Sequence, residues 1–415
     1  MSQPKPRTTT RDIRQANRLQ ILHQLLLRKS STRQELTRLT GLSTATVAHL
    51  VGAMLAEGLV VETGVEIPQI GRPTTILALN AAGGACVGVD VAETYIHYEL
   101  YDLMLTNLAR YDLALPSSKI EPEEVVQLIV TGFDTLLAQA AMAREKVVGI
   151  GISIPGPFEH ATGVSVFAPT WGWANVPLKA MLEERLEIPL YLDNPLKFNA
   201  IAEAWFGGGR GIDTMAAVVL GTGVGAGLVI DGKLYHGSSN TAGEWGHTII
   251  VAGGRTCRCG NQGCLEAYVG APGILQTLLE IDRSSPLHFP GDQTRSIEAI
   301  ATAAAQGDAM ALEVVNRTAV YLSAGLGSLI NFLNPEVVII GSWVGALLVP
   351  IMWEKLLSLV ERQSLERPYM AARIMVSDMA RNSVSLGAAT SVLEEYLAKE
   401  GRRSKRRLTE KGAER

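Results

Sequence analysis

The sequence predicts an α/β protein with a small helical domain at its N-terminus, and three observations support this prediction. The 415 residues are 47% hydrophobic and 19% charged, which allows a buried core in two or three domains and excludes a wholly disordered, collagen-like or coiled-coil chain. Before residue 80, apolar residues recur at helical spacing, whereas from Gly84 onward strand-like apolar runs alternate with helical stretches. The 41 glycines favour many tight turns.

The first 80 residues predict three helices followed by a β-hairpin. Ser31 or Thr32 is placed to cap the second helix, and Ser43 is placed to cap the third. Gly41 interrupts the chain between these two helices. Three helices with a glycine-containing turn, followed by a hairpin, describe a winged helix-turn-helix. The predicted elements are helices over Gln15–Arg28 and Arg33–Leu39, a third helix after Ser43, and strands over Leu59–Thr63 and Pro73–Leu79.

Charge is distributed unevenly along the chain, although the net charge is only −4. Residues 1–80 carry ten basic and five acidic side chains, and residues 399–415 carry eight and three. Residues 81–398 hold the remaining 19 basic and 33 acidic side chains. A basic head on an acidic body indicates that the head binds a polyanion. The alternative is a chance distribution with a solvated tail.

Side chains at the start of the third helix are the candidates for contacts with double-stranded DNA. The apolar stripe of this helix faces inward, which leaves short side chains free to reach base edges or the methyl group of thymine. Arg72 lies at the predicted tip of the wing, where it would enter a minor groove. Other arginines of the head, including Arg18, are candidates for phosphate contacts. The alternative is a generic helical subdomain. The candidate DNA-binding residues are Arg33, Ser43, Thr44, Ala45, Thr46, His49 and Arg72.

Residues 81–398 predict the larger α/β domain, and the basic segment 399–415 is predicted to be a disordered tail. Strands are predicted over Ala85–Val91, Val147–Ile154, Pro189–Leu192, Met215–Leu220, Gly225–Ile230, Val337–Gly341 and Arg373–Val376. Helices are predicted over Glu123–Arg144, Leu178–Leu186, Asn199–Trp205, Ile297–Ala304, Ala309–Asn331 and Val384–Lys399.

Three of the four cysteines lie within eight residues, which suits a metal site better than a disulfide framework. Cys257, Cys259 and Cys264 form a CxCxxxxC group, and His247 lies ten residues upstream. Three thiolates and one imidazole complete the tetrahedral coordination of a structural Zn²⁺, one per chain. The alternatives are a redox pair or unligated buried thiols. Cys86 is predicted to be a core residue.

A glycine-rich segment, GTGVGAG at 221–227, lies between two predicted strands. Its backbone amides could bind a phosphate or sugar hydroxyls. A glycine-rich hairpin between two strands, without any ligand, would have the same sequence pattern. AGEWGH at 242–247 and CRCGNQGCLE at 257–266 make the pattern specific. These three motifs stand in the order and spacing of the ROK family of repressors and sugar kinases, which the sequence resembles. GIGISIPGP at 149–157 and NPEVVIIG at 334–341 look like further landmarks of that family.

The resemblance covers about residues 85–398 and implies a two-lobed actin-like (ribonuclease H-like) sugar-kinase fold. Residues 15–80 resemble the winged domain of the family's repressor branch, which includes xylose and N-acetylglucosamine repressors and which the kinases lack. The resemblance implies that Glu244, His247 and Glu266 bind sugar hydroxyls, with Asn194 as a further effector ligand. It also assigns His247, Cys257, Cys259 and Cys264 to zinc.

Three elements of the family's kinases are altered in this sequence. Glu93 stands in the first phosphate loop, where a carboxylate would repel a triphosphate. Pro195 replaces the carboxylate that acts as the general base, and Asp193 is two positions away. Trp343 stands where the kinases carry glycines beside the adenine, and Thr170 stands where sugar-binding members carry asparagine. The sequence therefore predicts a protein that is not an enzyme and has no catalytic residues.

The sequence as a whole predicts a DNA-binding transcriptional repressor of carbohydrate-metabolism genes. A sugar-like effector would bind in the catalytically inactive cleft, and a homodimer or homotetramer would bind a double-stranded operator. The alternatives are a sugar kinase with a regulatory DNA-binding head and an effector-independent regulator. The polar N-terminus and the interrupted apolar run Val337–Trp353 predict no signal peptide and no membrane contact, and hence a cytoplasmic protein.

Overall fold

The computed structural model describes residues 10–67, 73–115, 120–160, 162–168, 171–379 and 382–412, with side chains described from Ile13 to Ala398. Within these ranges the chain forms a head of three helices and a small sheet, followed by a body of two lobes. The α/β class, the winged head and the two-lobed body predicted from the sequence are all confirmed.

Local hydrogen bonds set the ends of the helices in the head. Thr32 caps the second helix in a capping box: its hydroxyl accepts from the amide of Glu35, and its amide donates to the Glu35 carboxylate at 2.8 Å. Gly41 ends this helix with φ at 69°, a conformation that glycine adopts readily. The Ser43 hydroxyl accepts from the amide of Thr46 at 3.1 Å and starts the third helix. The helices are α1 (Thr10–Arg28), α2 (Arg33–Thr40) and α3 (Thr44–Ala56).

The wing is an antiparallel sheet of three strands, β1 (Ser31–Thr32), β2 (Val60–Glu66) and β3 (Thr74–Leu79), in the order β1-β3-β2. The sequence predicts β2 and β3 but not β1. A two-residue strand has no periodicity to detect, and β1 exists because β3 offers it an edge.

Each lobe of the body contains a five-stranded sheet, and the two sheets share one topology. In each sheet the first three strands form an antiparallel meander, and the last two strands lie parallel to the first. Lobe 1 has the order β11-β7-β4-β5-β6, built from β4 (Ala85–Val91), β5 (Tyr95–Asp102), β6 (Asn107–Ala114), β7 (Val147–Ser153) and β11 (Leu190–Asp193). Lobe 2 has the order β14-β13-β12-β15-β16, built from β12 (Met215–Leu220), β13 (Val224–Ile230), β14 (Lys233–Leu234), β15 (Val337–Gly341) and β16 (Arg373–Val376).

A third small sheet and ten helices complete the described body. The small sheet joins β8 (Phe158–Glu159), β9 (Val164–Ala168) and β10 (Trp173–Val176). The helices are α4 (Pro122–Gln139), α5 (Leu178–Glu183), α6 (Pro195–Trp205), α7 (Glu266–Val269), α8 (Ala271–Ile281), α9 (Gln293–Ala305), α10 (Ala309–Leu333), α11 (Ser342–Gln363), α12 (Glu366–Ala371) and α13 (Ser383–Gly412).

Two helices, α6 and α13, join the lobes. α6 packs on β12 and β13 of lobe 2, whereas α13 packs on β4 and β7 of lobe 1, and the two helices pack on each other. Gly387 of α13 permits this close contact, because a Cβ there would lie 1.8 Å from the carbonyl oxygen of Phe198 in α6.

The head and the body share a hydrophobic core. Leu22 and Leu25 of α1 are fully buried in the same cluster as Val392 and Leu393 of α13. Cys86, predicted as a core residue, is buried in this cluster as well. The predicted boundary between residues 80 and 81 falls in the chain between β3 and β4, yet the two parts pack as neighbours.

The C-terminal segment differs from the prediction of a disordered tail over 399–415. Helix α13 continues to Gly412, and residues 413–415 lie outside the described residues. Arginine, lysine and glutamate make up most of this segment, and all three have high helix propensity, so the helix that starts in the core is prolonged.

One described helix, α11, is long and apolar enough by composition to cross a membrane. Its residues Val344, Leu348 and Met352 are buried in the core of lobe 2. We therefore interpret α11 as a core helix.

Candidate functional site

The N-terminal end of α3 is an exposed polar surface on the head. Thr44, Ala45 and His49 are exposed, while the next face of α3 buries Val47 and Leu50. Ser43 and Thr46 are tied to each other, since the Ser43 hydroxyl lies 2.8 Å from the Thr46 hydroxyl. The helix therefore presents short side chains outward at its N-terminal end, which is the arrangement that fits a DNA groove.

The arginines of the head differ in their availability to DNA. Arg33, the first residue of α2, is partly exposed and lies 3.5 Å from the carboxylate of Glu62 in β2, so phosphate would compete with an exposed carboxylate. The expectation that Arg18 contacts phosphate is wrong, because Arg18 is buried and paired with Glu57. Arg72 lies outside the described residues.

Four ligand-type side chains converge in the loop between β14 and α7. The ligand atoms of His247, Cys257, Cys259 and Cys264 all lie within 4.8 Å of one another. The Sγ atoms of Cys259 and Cys264 are 3.7 Å apart, close to the distance of about 3.8 Å between thiolates that share a tetrahedral zinc. The donor set and its spacing fit a closed tetrahedral metal site.

The orientation of His247 also suits a metal ligand. Its Nδ1 lies 3.6 Å from the Sγ of Cys257, and its Nε2 lies 3.8 Å from the Glu244 carboxylate. Nδ1 thus faces the ligand cluster while Nε2 faces a carboxylate, as in many carboxylate–histidine–metal arrangements. Burial raises the pKa of the Cys257 thiol to about 12, so a metal ion must displace its proton on binding.

Glu266, at the start of α7, is the most tightly held of the candidate effector ligands. Its Oε2 accepts from the amide of Val224 at 3.0 Å, and its Oε1 accepts from the Nε of Arg258 at 2.8 Å. The Nη2 of Arg258 also lies 3.3 Å from Oε2. Arg258 reaches further across the cleft and donates from Nη1 to Glu93 of lobe 1 at 2.6 Å.

Glu244 lies beside this group, and Asn194 lies at the start of α6. Burial raises the pKa of the Glu244 carboxyl, and the nearby His247 opposes that rise. Asn194 is buried, and its Oδ1 caps α6 by accepting from the amide of Lys197 at 3.2 Å. Its Nδ2 is buried without a hydrogen-bond partner among the described residues, and so has a donor to offer a ligand.

The segment that carries the general base in the family's kinases is built differently. Pro195 is the first residue of α6, a position where its fixed φ and missing N–H suit a helix start. Asp193 is buried and accepts from the Lys197 ammonium at 2.9 Å. Lys197 is buried too and donates to the carbonyl of Asn240 at 2.6 Å. The carboxylate of Asp193 is therefore paired with the ammonium group of Lys197.

Trp343 lies against the glycine-rich segment, since a Cβ at Gly221 would be 3.1 Å from its indole Nε1. Thr170 lies outside the described residues.

The structure thus brings Glu244, His247 and Glu266 together with the cysteine cluster. Asn194 is the N-cap of α6. Sequence reasoning did not identify Arg258 as a partner of Glu266 or Lys197 as a partner of Asp193. The only sequence signal for Arg258 is a long cation between two cysteines of a tight loop.

Comparisons with known proteins agree with this geometry. The ROK family profile matches residues 86–395, which is more than half of the chain. A xylose repressor from Caldicellulosiruptor bescii is 30% identical over 395 residues, covering 93% of this chain and 97% of that protein. A glucokinase from Halalkalibacterium halodurans is 36% identical over 265 residues, covering 62% of this chain and 80% of that protein. The crystal structure of a ROK family transcriptional regulator, a homologue of the Escherichia coli MLC protein, superposes with a TM-score of 0.78 at 25% identity and covers 93% of this chain and 97% of that one. The chain belongs to the ROK family.

Proposed function

We propose that this protein is a DNA-binding transcriptional repressor of genes for sugar metabolism. The observation that carries the proposal is the exposed N-terminal end of α3 on a head that shares its core with the body. The xylose repressor that it resembles matches along nearly the whole chain, head included, whereas the glucokinase matches 62% of it. We assign DNA contacts to Arg33, Ser43, Thr44, Ala45, Thr46, His49 and Arg72.

The cleft of the body binds a sugar-like effector and does not phosphorylate it. Glu244, His247, Glu266 and Asn194 are the proposed ligands, because carboxylates and a buried amide suit a polyol. Pro195 cannot accept a proton, and Asp193 is held by Lys197, which leaves the cleft without a general base at this point. Glu93 and Trp343 occupy positions that a nucleotide needs in the kinases of the family.

The cysteine cluster holds one structural Zn²⁺ per chain through His247, Cys257, Cys259 and Cys264. Four protein ligands leave no open position for a catalytic water. The ion would fix the loop whose end carries Glu266 and so support the effector site.

The protein works in the cytoplasm as a homodimer or homotetramer. A dimer presents two heads, and two heads match the two half-sites of a pseudo-palindromic operator.

The proposal is tested by fluorescence anisotropy with the full chain and duplexes from the region upstream of its own gene, at a stated salt concentration. We expect binding at least 1,000-fold tighter than to a scrambled duplex, and release by a sugar. D-Xylose and D-glucose are the first sugars to add. Equal affinity for operator and scrambled DNA would contradict the proposal, and sugar-dependent release of ADP from ATP would support the kinase instead.

A further inference from the structure

One arginine and two carboxylates form a bridge across the cleft. Arg258 of lobe 2 donates to Glu93, in the turn between β4 and β5 of lobe 1, at 2.6 Å. The same guanidinium contacts Glu266 through Nε at 2.8 Å and through Nη2 at 3.3 Å. Glu93 and Arg258 are 165 residues apart in sequence, so the contact ties the two lobes to each other.

The bridge lies where the effector ligands are. Both oxygen atoms of Glu266 accept hydrogen bonds from the protein, since Oε2 also accepts from the amide of Val224 at 3.0 Å. Arg258 lies over the glycine-rich segment, and a Cβ at Gly223 would be 2.6 Å from its Nη2. A ligand that uses Glu266 must therefore compete with Arg258.

We propose that Arg258 is a residue of the effector site and that the bridge Glu93–Arg258–Glu266 is a latch. The latch keeps the lobes in the arrangement that binds the operator. A ligand that takes Glu266 away from Arg258 removes the contact that holds the guanidinium in place, and so frees Arg258 to leave Glu93 of lobe 1. This inference rests on the proposed function and adds the mechanism of release and the class of ligand.

The charges of the cleft select that class. Three carboxylates, those of Glu93, Glu244 and Glu266, lie around the guanidinium of Arg258. Lys197 and His247 also face Glu244, but the charge of Lys197 is paired with Asp193. An added phosphate or carboxylate would face an excess of negative charge, whereas hydroxyl groups can donate to these oxygens. The latch therefore yields to an uncharged polyol and not to a sugar phosphate or a nucleotide.

Hydrogen exchange of the ligand-free full chain tests the latch without any sugar. Glu93→Gln and Arg258→Gln each remove one charge of the cross-lobe pair. Glu313→Gln is the matched control, because the ion pair of Glu313 with Arg317, at 2.7 Å, lies within the single helix α10. We expect amides of residues 90–96 and 221–225 to exchange at least threefold faster in both latch variants and unchanged in the control. Arg258→Gln could also disturb the metal site, because Arg258 lies between two of the cysteines, whereas Glu93 is remote from them in sequence. Unchanged exchange in Glu93→Gln would therefore overturn the latch, whatever the metal content of Arg258→Gln.

Operator and ligand binding test the role of the latch in regulation. Without sugar, both latch variants should bind the operator about three- to tenfold more weakly than the wild type. D-Xylose or D-glucose should bind the Glu93→Gln variant several-fold more tightly than the wild type, because the latch no longer opposes them. Tighter binding of D-glucose 6-phosphate than of D-glucose would overturn the ligand class. Failure of every sugar to bind would contradict the proposed effector function, and the exchange experiment would still decide the latch.

Discussion

Cys259 is the residue at which the proposed metal site is most directly tested. Its Sγ lies 3.7 Å from that of Cys264, and serine at this position removes one thiolate from the tetrahedral set. We expect Cys259→Ser to lose zinc, measured by elemental analysis of the purified protein, and to raise hydrogen exchange in residues 255–266. Cys86→Ala, a change in the shared core away from the cluster, should keep one zinc per chain. A full zinc content in Cys259→Ser would contradict the ligand assignment.

His97 of β5 makes stability depend on pH. Burial alone would lower its pKa, but the carboxylates of Glu99 and Asp112 raise the pKa of His97 to about 9. Because the folded pKa lies above the unfolded value of 6.5, this stabilisation is complete below pH 6.5 and is lost as pH rises through 9. We expect the free energy of unfolding in urea to fall by about 2 kcal/mol between pH 6.5 and 9.5. The His97→Gln variant should lack that fall, and an equal fall in both proteins would exclude His97 as the cause.

Single residues differ in how far the sequence reveals their roles. The metal cluster is predictable because three of its four ligands lie within eight residues of one loop. The partner of Glu93 cannot be predicted in this way, because Arg258 contacts Glu93 only after both lobes have folded. From the sequence, Glu93 signals only repulsion of a triphosphate, and its opposite role as one half of an ion pair depends on tertiary structure.

At the scale of secondary structure, the contact between α6 and α13 depends on one glycine. An alanine at Gly387 would place a methyl group 1.8 Å from the carbonyl oxygen of Phe198, so the helices must separate. We expect Gly387→Ala to lower the free energy of unfolding by about 1–3 kcal/mol. Gly52→Ala in α3 is the control, since nothing lies within 4 Å there, and it should raise stability by about 0.5–1 kcal/mol. Equal effects of the two substitutions would show that the helices can adjust.

The first turn of α3 is predicted to read bases. Thr44 is exposed there and has no place in the core of the head, so Thr44→Ala should leave the fold intact. We expect this change to weaken operator binding by about 1–3 kcal/mol and to leave binding to a scrambled duplex unchanged, as measured by anisotropy at one salt concentration. An equal loss on both duplexes would indicate a phosphate contact rather than a base contact.

Helices with clear capping signals could be predicted to within a few residues, whereas several strands could not. Ser43 and Gly41 mark their helix ends by local chemistry alone. The sequence does not predict the hairpin β5–β6, because its charged residues resemble a polar loop when the pairing with β4 is not considered. The charge of residues 399–415 predicts a disordered tail, whereas the structure continues α13 to Gly412.

At the scale of the whole molecule, α6 connects the cleft to the head. It begins at Pro195, directly after its N-cap Asn194 at the end of β11, and it ends at Trp205. The ring of Trp205 lies 4.2 Å from the ring of His23 in α1, centroid to centroid. The second link is α13, where the carbonyl of Ala398 accepts from the side-chain amide of Gln15. A rotation of the lobes about these two helices would therefore be transmitted to α1.

Trp205→Ala should uncouple the head from the cleft. Its ring contacts His23 but lies at the opposite end of α6 from Asn194, so the effector ligands keep their places. We expect calorimetry to give an unchanged affinity for the sugar that releases the wild type, while anisotropy shows that this sugar weakens operator binding less. The ratio of operator affinities without and with sugar measures the coupling, and a coupling of about 1–3 kcal/mol in the wild type should shrink toward zero. His23→Ala removes the same ring contact from α1 and should reduce the coupling by the same amount. The double variant should reduce the coupling no further than either single variant. A ratio equal to that of the wild type in all three variants would exclude the contact between Trp205 and His23 from the transmission.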